Sequence, residues 1–379
     1  MLSYWETTHF IAYDVIIIGA GIVGLSTAAS IAEKHPQKKI LVLERGLLPT
    51  GASTKNAGFA CFGSLTELLA DLRSTPETAV LDLVQERYLG LLALRQRLGD
   101  ENIGYEGLGG YELLGEKELY ALDELQRINH WLKAIFPKDV FVLENDQIEN
   151  FGFNTQKVKA LVRNTFEGQI DTGKMMQSLW GYVQQKGVRI LTGCEVLAWE
   201  ENPQSITIKV QNQATKTHID FTAQHLVVCT NAFTPQLLPK LDIRAGRGQV
   251  LITEPLKNLR FKGAFHYDEG FFYFRHVGQR ILLGGGRNLD FEGETSTELL
   301  TTKPIINYLE ELLKDVICPY EPVTIAQQWA GIMAFGATKQ PIVQWHSPKV
   351  LLGARCGGMG VALGSRLGEK LAVMLLEKN

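Results

Sequence analysis

The sequence predicts a mixed α/β fold: a Rossmann-like dinucleotide-binding domain, discontinuous in sequence, that carries an inserted α+β substrate part built on an antiparallel sheet. Three observations predict it. Residues 14–24 read DVIIIGAGIVG, a short apolar run followed by Gly19, Gly21 and Gly24 at GxGxxG spacing. The second apolar run, 39–43, ends in Glu44, twenty residues after Gly24. The chain closes on another strand, glycine turn and helix unit, 350–377, so both termini build one domain.

Each glycine of the first motif has its own use. Gly19 permits the tight turn, Gly21 lets a pyrophosphate approach the backbone, and Gly24 lets the following helix pack on the strand. Free amides at that helix's start then face the phosphates. A carboxylate at Glu44 accepts hydrogen bonds from ribose hydroxyls and repels a 2′-phosphate. The helix is expected over about 22–34, with Pro36 breaking the chain before the second strand.

Further along, residues 50–58 read TGASTKNAG, a run of small and hydroxylic residues fit to lie along a cofactor, with Ser53, Thr54 and Asn56 as donors. Residues 65–98 repeat leucines at helical spacing and predict amphipathic helices that leave the nucleotide fold. A strand pair near 110–114 and a helix near 116–136 follow. Asp171 or Thr172 caps a helix that Gly187 ends. Short strands are expected at 189–191, 195–199, 206–210, 218–221 and 226–229. Residues 270–286, GFFYFRHVGQRILLGGG, alternate so that Phe271, Tyr273 and Arg275 share one face. By themselves these read as a half-buried sheet with a solvated arginine. Gly364 and Gly368 share one face of the terminal helix and allow close backbone contact. The aromatic arm at 1–13, with Tyr4, Trp5 and Phe10, is expected to pack on the core. The resulting domain division assigns 1–75, 155–245 and 325–379 to the nucleotide domain, and 76–154 and 246–324 to the substrate domain.

Composition narrows the class. Apolar residues make up 45% and charged residues 21%, ordinary for a globular protein, and the net charge is −3, so nothing draws the chain to nucleic acid or an anionic membrane. Five widely spaced cysteines read as reduced thiols in a cytoplasmic setting, and the eight histidines show no metal-ligand spacing. The longest early apolar run is too short to span a bilayer.

Taken in order, these segments resemble the flavin-dependent D-amino-acid oxidase superfamily, which includes glycine, sarcosine and γ-glutamylputrescine oxidases. The resemblance covers nearly the whole chain and implies FAD, not NAD. It places the adenosine ribose on Glu44 with Arg45 beside it, and the pyrophosphate and flavin along Ala52, Ser53, Asn56, Ala57 and Gly58. It places adenine on the backbone of Val196, and the flavin pyrimidine oxygen on Gly357, Gly358, Met359 and Gly360. The family tyrosine before a GG pair falls on Tyr273.

One departure bears on substrate. Many members carry a carboxylate-binding arginine in a WxGxR-like stretch, whereas this chain reads Trp329, Ala330, Gly331, Ile332, Met333. If the substrate is an amino acid, Arg275, sharing a face with Tyr273, is the expected replacement, with Arg287 and Arg355 next; if no arginine lines the pocket, an amine lacking an α-carboxylate is expected instead. No cysteine lies at 331–344, so the FAD is expected to be non-covalent. The implied activity is oxidation of the C–N bond of a small amine or amino acid by hydride transfer to flavin N5. The resulting imine hydrolyses, and oxygen or another acceptor reoxidises the flavin. A 2-hydroxy-acid dehydrogenase and a flavoprotein with a purely binding role are the rivals.

Overall fold

In the computed structural model, which describes residues 2–378, two eight-stranded sheets divide the chain. The first is parallel at its centre. Ala12–Ile18 lies between Ile40–Leu43 and His218–Val228, with Arg189–Leu191 beyond the former and Val350–Ala354 beyond the latter. Val15, Ile16 and Ile17 are fully buried because helices or strands cover both faces of a parallel sheet.

The strand at 218–228 replaces two expected strands by one. Its first half pairs antiparallel with Ile206–Asn212, and its second half runs parallel to the first strand. Thr222 and Ala223 are paired on both sides, which keeps the chain extended through the polar stretch between the two apolar runs.

Helix Ile22–Lys34 and the terminal helix Gly360–Leu376 pack backbone to backbone. A Cβ on Gly364 would lie 2.3 Å from Ile22, and one on Gly368 would lie 2.6 Å from the Ser26 backbone, so only glycine permits this approach. Helix Glu77–Leu98 also joins this core through Leu91, Leu94 and Leu98, whereas its Val80 and Val84 enter a separate cluster under Leu65–Leu72 and Tyr120–Leu132. It therefore bridges the two halves of the molecule. The expectation that it leaves the nucleotide fold is corrected: leucines on its C-terminal half meet the two glycine-bearing helices.

The second sheet runs Ile325–Phe335, Arg244–Thr253, Arg280–Gly285, Phe272–Val277, Ala264–Tyr267, Gly110–Leu114, Ala160–Asn164, Phe141–Leu143. Neighbours are antiparallel except Ala264–Tyr267 and Gly110–Leu114. The strands at 160–164 and 325–335 belong here, beyond the boundaries drawn from sequence at 155 and 325. The strand at 110–114 pairs with 160–164, not with an adjacent hairpin partner. One face buries Phe265, Phe272 and Phe274 beneath helix Lys303–Leu312. The other presents a lateral row of Trp329, Val250, Gly284, Tyr273, His266 and Glu112.

The aromatic arm departs from expectation. Tyr4–His9 is a short helix whose Tyr4 and Trp5 are 71% and 66% exposed, because it contributes no buried residue to the core. Among the described residues no helix is long and apolar enough to cross a membrane.

Candidate active site

A cavity of about 770 Å³ lies between the two sheets. Its nucleotide end starts where the first strand stops. Gly19 donates to the Leu43 carbonyl at 2.8 Å, Cys229 donates to the Ile18 carbonyl at 2.9 Å, and the chain turns into the helix capped by Gly21. A Cβ on Gly24 would lie 2.0 Å from the Gly19 carbonyl oxygen, so Gly24 sets how closely helix follows strand and does not itself line the cavity. Gly19, Gly21, Glu44, Arg45 and Val196 do line it.

Glu44 is held by backbone amides. Its carboxylate accepts from the amides of Ala20 at 3.1 Å and Gly46 at 2.9 Å, tying the glycine turn to the second strand. Arg45 lies 4.5 Å over the Phe233 ring and donates to Gln236. Both Phe233 and Gln236 are lining residues that the sequence reading did not single out.

In the small-residue loop, Ala52, Ser53, Asn56, Ala57 and Gly58 all line the cavity. Ser53 Oγ accepts from the Ile22 amide at 2.9 Å. Asn56 donates to the Ser53 carbonyl and accepts from the Gly58 amide and the Thr172 hydroxyl. Thr54 donates to the Pro49 carbonyl and lies outside the lining. The loop's polar side chains thus shape the loop first, and Thr54 is no ligand donor.

At the far end, Gly357, Gly358, Met359 and Gly360 line the cavity ahead of the terminal helix. Asn231 holds this turn in place by accepting from the Arg355 amide at 3.0 Å. A Cβ on Gly51, Gly357 or Gly360 would meet nothing within 4 Å. These glycines border open space, a cradle of the kind a long dinucleotide fills. Cys61 and Cys356 also line the cavity, and burial pushes the Cys356 thiol up to about 12 and that of Cys61 well above its usual value.

The second sheet supplies the remaining wall: Tyr273, His266, Gly248, Val250, Arg287, Ile332, Met333 and Phe335, with Glu67 from helix Leu65–Leu72. Burial raises the Tyr273 hydroxyl to about 12. Met333 packs against the 357–360 turn, its sulfur 3.5 Å from where a Gly358 Cβ would stand.

The three candidate arginines separate. Arg275 is buried but is not among the lining residues; its guanidinium lies behind Gly58, 2.8 Å from where a Cβ would be. Shared strand facing put Tyr273 and Arg275 on one side of the sheet, but two residues along the strand is far enough for the 57–59 segment to come between Arg275 and the cavity. Arg355 is bound to Asp242 at 2.7 Å and to the Gln340 carbonyl. Arg287 lines the cavity, over Phe335 at 4.1 Å and Phe291 at 5.1 Å, its guanidinium making neither an ion pair nor a hydrogen bond to a described residue. Burial holds its guanidinium below the ordinary value despite the opposing charge of Glu294, which Arg247 already binds at 2.7 Å.

Sequence reading missed His266 and Glu67, and ranked Arg287 low. His266 precedes the aromatic run by one strand, and Glu67 reads only as the third residue of a capping box with Ser64. No spacing signal joins them to Tyr273, which lies more than two hundred residues after Glu67.

A split parallel sheet with a glycine cradle, a carboxylate at the second strand and a lidding antiparallel sheet define a dinucleotide-dependent oxidoreductase. More specifically, the family model for FAD dependent oxidoreductases (DAO) matches residues 14–374, and the chain belongs to that family. Its cofactor is FAD. Similar proteins include the probable oxidoreductase OrdL of Haemophilus influenzae, 23% identical over 96% of this chain and 83% of that one. The sarcosine oxidase subunit beta of Rhodobacter capsulatus is 22% identical over 87% of this chain and 77% of its own length. Among solved structures, L-proline dehydrogenase from P. horikoshii superposes with a TM-score of 0.78 at 16% identity, covering 97% of this chain and 94% of that one. Glycine oxidase from Geobacillus kaustophilus gives 0.77 at 17%, covering 97% and 96%. These likenesses establish the fold.

Proposed function

We propose that this enzyme oxidises the C–N bond of a small amino acid or other amine that carries a carboxylate. The observation that supports it most directly is Arg287, a guanidinium without an acid partner in the wall of the same cavity that holds Tyr273 and the 357–360 turn. A half-buried guanidinium with no ion-pair partner is incompletely satisfied, and a substrate carboxylate would complete it through charge-assisted hydrogen bonds.

In this reading Gly19, Gly21, Glu44, Arg45 and Val196 would hold the adenosine end of FAD. Ala52, Ser53, Asn56, Ala57 and Gly58 would hold its centre, and Gly357, Gly358, Met359 and Gly360 its pyrimidine edge. Bound FAD supplies the hydride acceptor. Arg287 binds the substrate carboxylate, and Tyr273 borders the substrate with a hydroxyl that burial keeps protonated and able to donate. Met333, at the position where the family resemblance leads to the expectation of an arginine, supplies apolar wall. Phe335 and Phe271 exclude water from the same space.

Anaerobic mixing with glycine, N-methylglycine, L-proline, benzylamine and a set of 2-hydroxy acids tests the reading. Bleaching of the flavin by a carboxylate-bearing amine is the expected result. Bleaching by hydroxy acids alone would replace it with a hydroxy-acid dehydrogenase, by benzylamine alone would remove the carboxylate requirement, and by nothing would leave a binding role. Peroxide formed on admitting air would identify oxygen as the acceptor.

A further inference from the structure

We propose that His266 takes the proton from the substrate's bound ammonium, so that the neutral amine, the form able to give up a hydride, is made inside the cavity. The assignment rests on the amine reading above. His266 lines the cavity yet is only 6% exposed, and its buried Nδ1 has no hydrogen-bond partner. No described residue donates to or accepts from its imidazole, whose ring is fixed against Phe59 at 5.1 Å between centroids. Nδ1 is closed off and without a partner, so the nitrogen open to a ligand is Nε2, which accepts when the ring proton sits on Nδ1.

Its neighbours suit the task. On one side His266 is in register with Tyr273, the residue expected beside the substrate, and on the other with Glu112. Glu67, from helix Leu65–Leu72, faces it across the cavity wall. Glu112 is turned away from the imidazole by its bonds to the Ser64 hydroxyl and the Thr66 amide, and burial raises it to about 7. Burial holds the His266 ring below its ordinary value, so it is neutral at pH 7, while the Glu67 charge favours the imidazolium once formed. Burial opposes ionisation of Glu67 too, whereas the Lys339 and Arg87 charges, the Ser64 amide and an imidazolium at His266 all favour the carboxylate.

The step balances without a co-reactant. One N–H bond of the ammonium breaks and leaves its electron pair on nitrogen; one N–H bond forms on the imidazole. The products are a neutral amine and an imidazolium, and the proton returns to solvent after turnover. Without such a base, only amine already neutral in solution could react, and at pH 7 that is a small fraction for an ammonium with a pKa of about 8 to 10.

The test is the pH dependence of anaerobic flavin reduction by whichever of glycine, N-methylglycine and L-proline bleaches the wild type. At low substrate concentration the wild-type rate should be flat from about pH 7 to the ammonium pKa. The His266→Gln and His266→Asn variants should be slower by about 100-fold at pH 7, climb about tenfold per pH unit, and approach wild type above the ammonium pKa. Binding of acetate and benzoate, which have no amine, should be unchanged in the variants, a readout that needs no turnover. Parallel profiles for variant and wild type would overturn the assignment while leaving the amine reading intact. So would a wild-type rate that itself climbs about tenfold per pH unit, which decides the matter even if neither variant retains flavin. Failure of all three amines to bleach the wild type would overturn the amine reading and His266 with it.

Discussion

The guanidinium of Arg287 lies 4.1 Å above the ring of Phe335, and Gly246 makes room for both: a Cβ there would stand 2.4 Å from the ring and 3.0 Å from Arg287 Nε. A cation placed on an aromatic face without an acid partner is poised for an anionic ligand. Arg287→Met is therefore expected to weaken acetate and benzoate by about 2–5 kcal/mol, the usual cost of removing one side of a desolvated charge pair. Isothermal titration of the flavin-loaded protein measures it. Arg275→Met serves as the contrast and should leave carboxylate affinity nearly unchanged, since the segment bearing Gly58 separates that side chain from the cavity. The reverse pattern would return the carboxylate site to Arg275.

Gly24 stands against backbone, not against a side chain that could move. With a Cβ 2.0 Å from the Gly19 carbonyl oxygen, Gly24→Ala must push the helix off the strand. A loss of about 1–3 kcal/mol in stability is expected, with weaker flavin retention because the helix start moves with it. Unfolding in urea and the flavin-to-protein absorbance ratio report the two effects separately. An alanine variant as stable as wild type would show that this packing is not tight.

Two buried carboxyls give stability a pH dependence. Burial raises Glu167 to about 8 and Glu112 to about 7, against an ordinary value of 4.5, although Glu167 accepts from the Phe62 and Gly63 amides. The folded state then holds more protons than the unfolded state between the two values, so stability falls as pH rises from about 5 towards 8. Glu167→Gln keeps the oxygen that accepts from both amides and cannot ionise. Its Tm should decline less steeply than wild type from about pH 5 to about pH 8. Identical slopes would mean that Glu167 ionises at an ordinary pH.

Cys61 and Cys356 line the cavity near the 357–360 turn, and burial keeps both protonated. A thiol in that state is a poor nucleophile. Acid precipitation is accordingly expected to release all of the yellow flavin into the supernatant. Colour retained in the pellet would point to a covalent link.

The nucleotide half was legible in the sequence because its requirements are local. A strand of four apolar residues, glycines at fixed offsets and an acid at the next strand end act within one βαβ unit, and each needs only its own backbone geometry. Gly19, Gly21, Glu44, the 52–58 loop and the 357–360 turn accordingly all border one cavity. Strand alternation likewise separated Tyr273 from the buried Phe272 and Phe274. The substrate wall is assembled otherwise. Glu67 comes from a helix before the inserted sheet, His266 and Tyr273 from adjacent strands, Arg287 from the turn after them and Met333 from a strand added near the end. Periodicity gives the side of a strand but not what lies between that side and a cavity, so it grouped Arg275 with Tyr273, and only packing against Gly58 set them apart. Sequence alone determined that this chain binds a dinucleotide and pointed to residues that mostly border one cavity. Which arginine lines the cavity, and that a histidine without a hydrogen-bond partner stands beside Tyr273, depended on strand register and on glycine-permitted close approaches that arise only when distant segments pack.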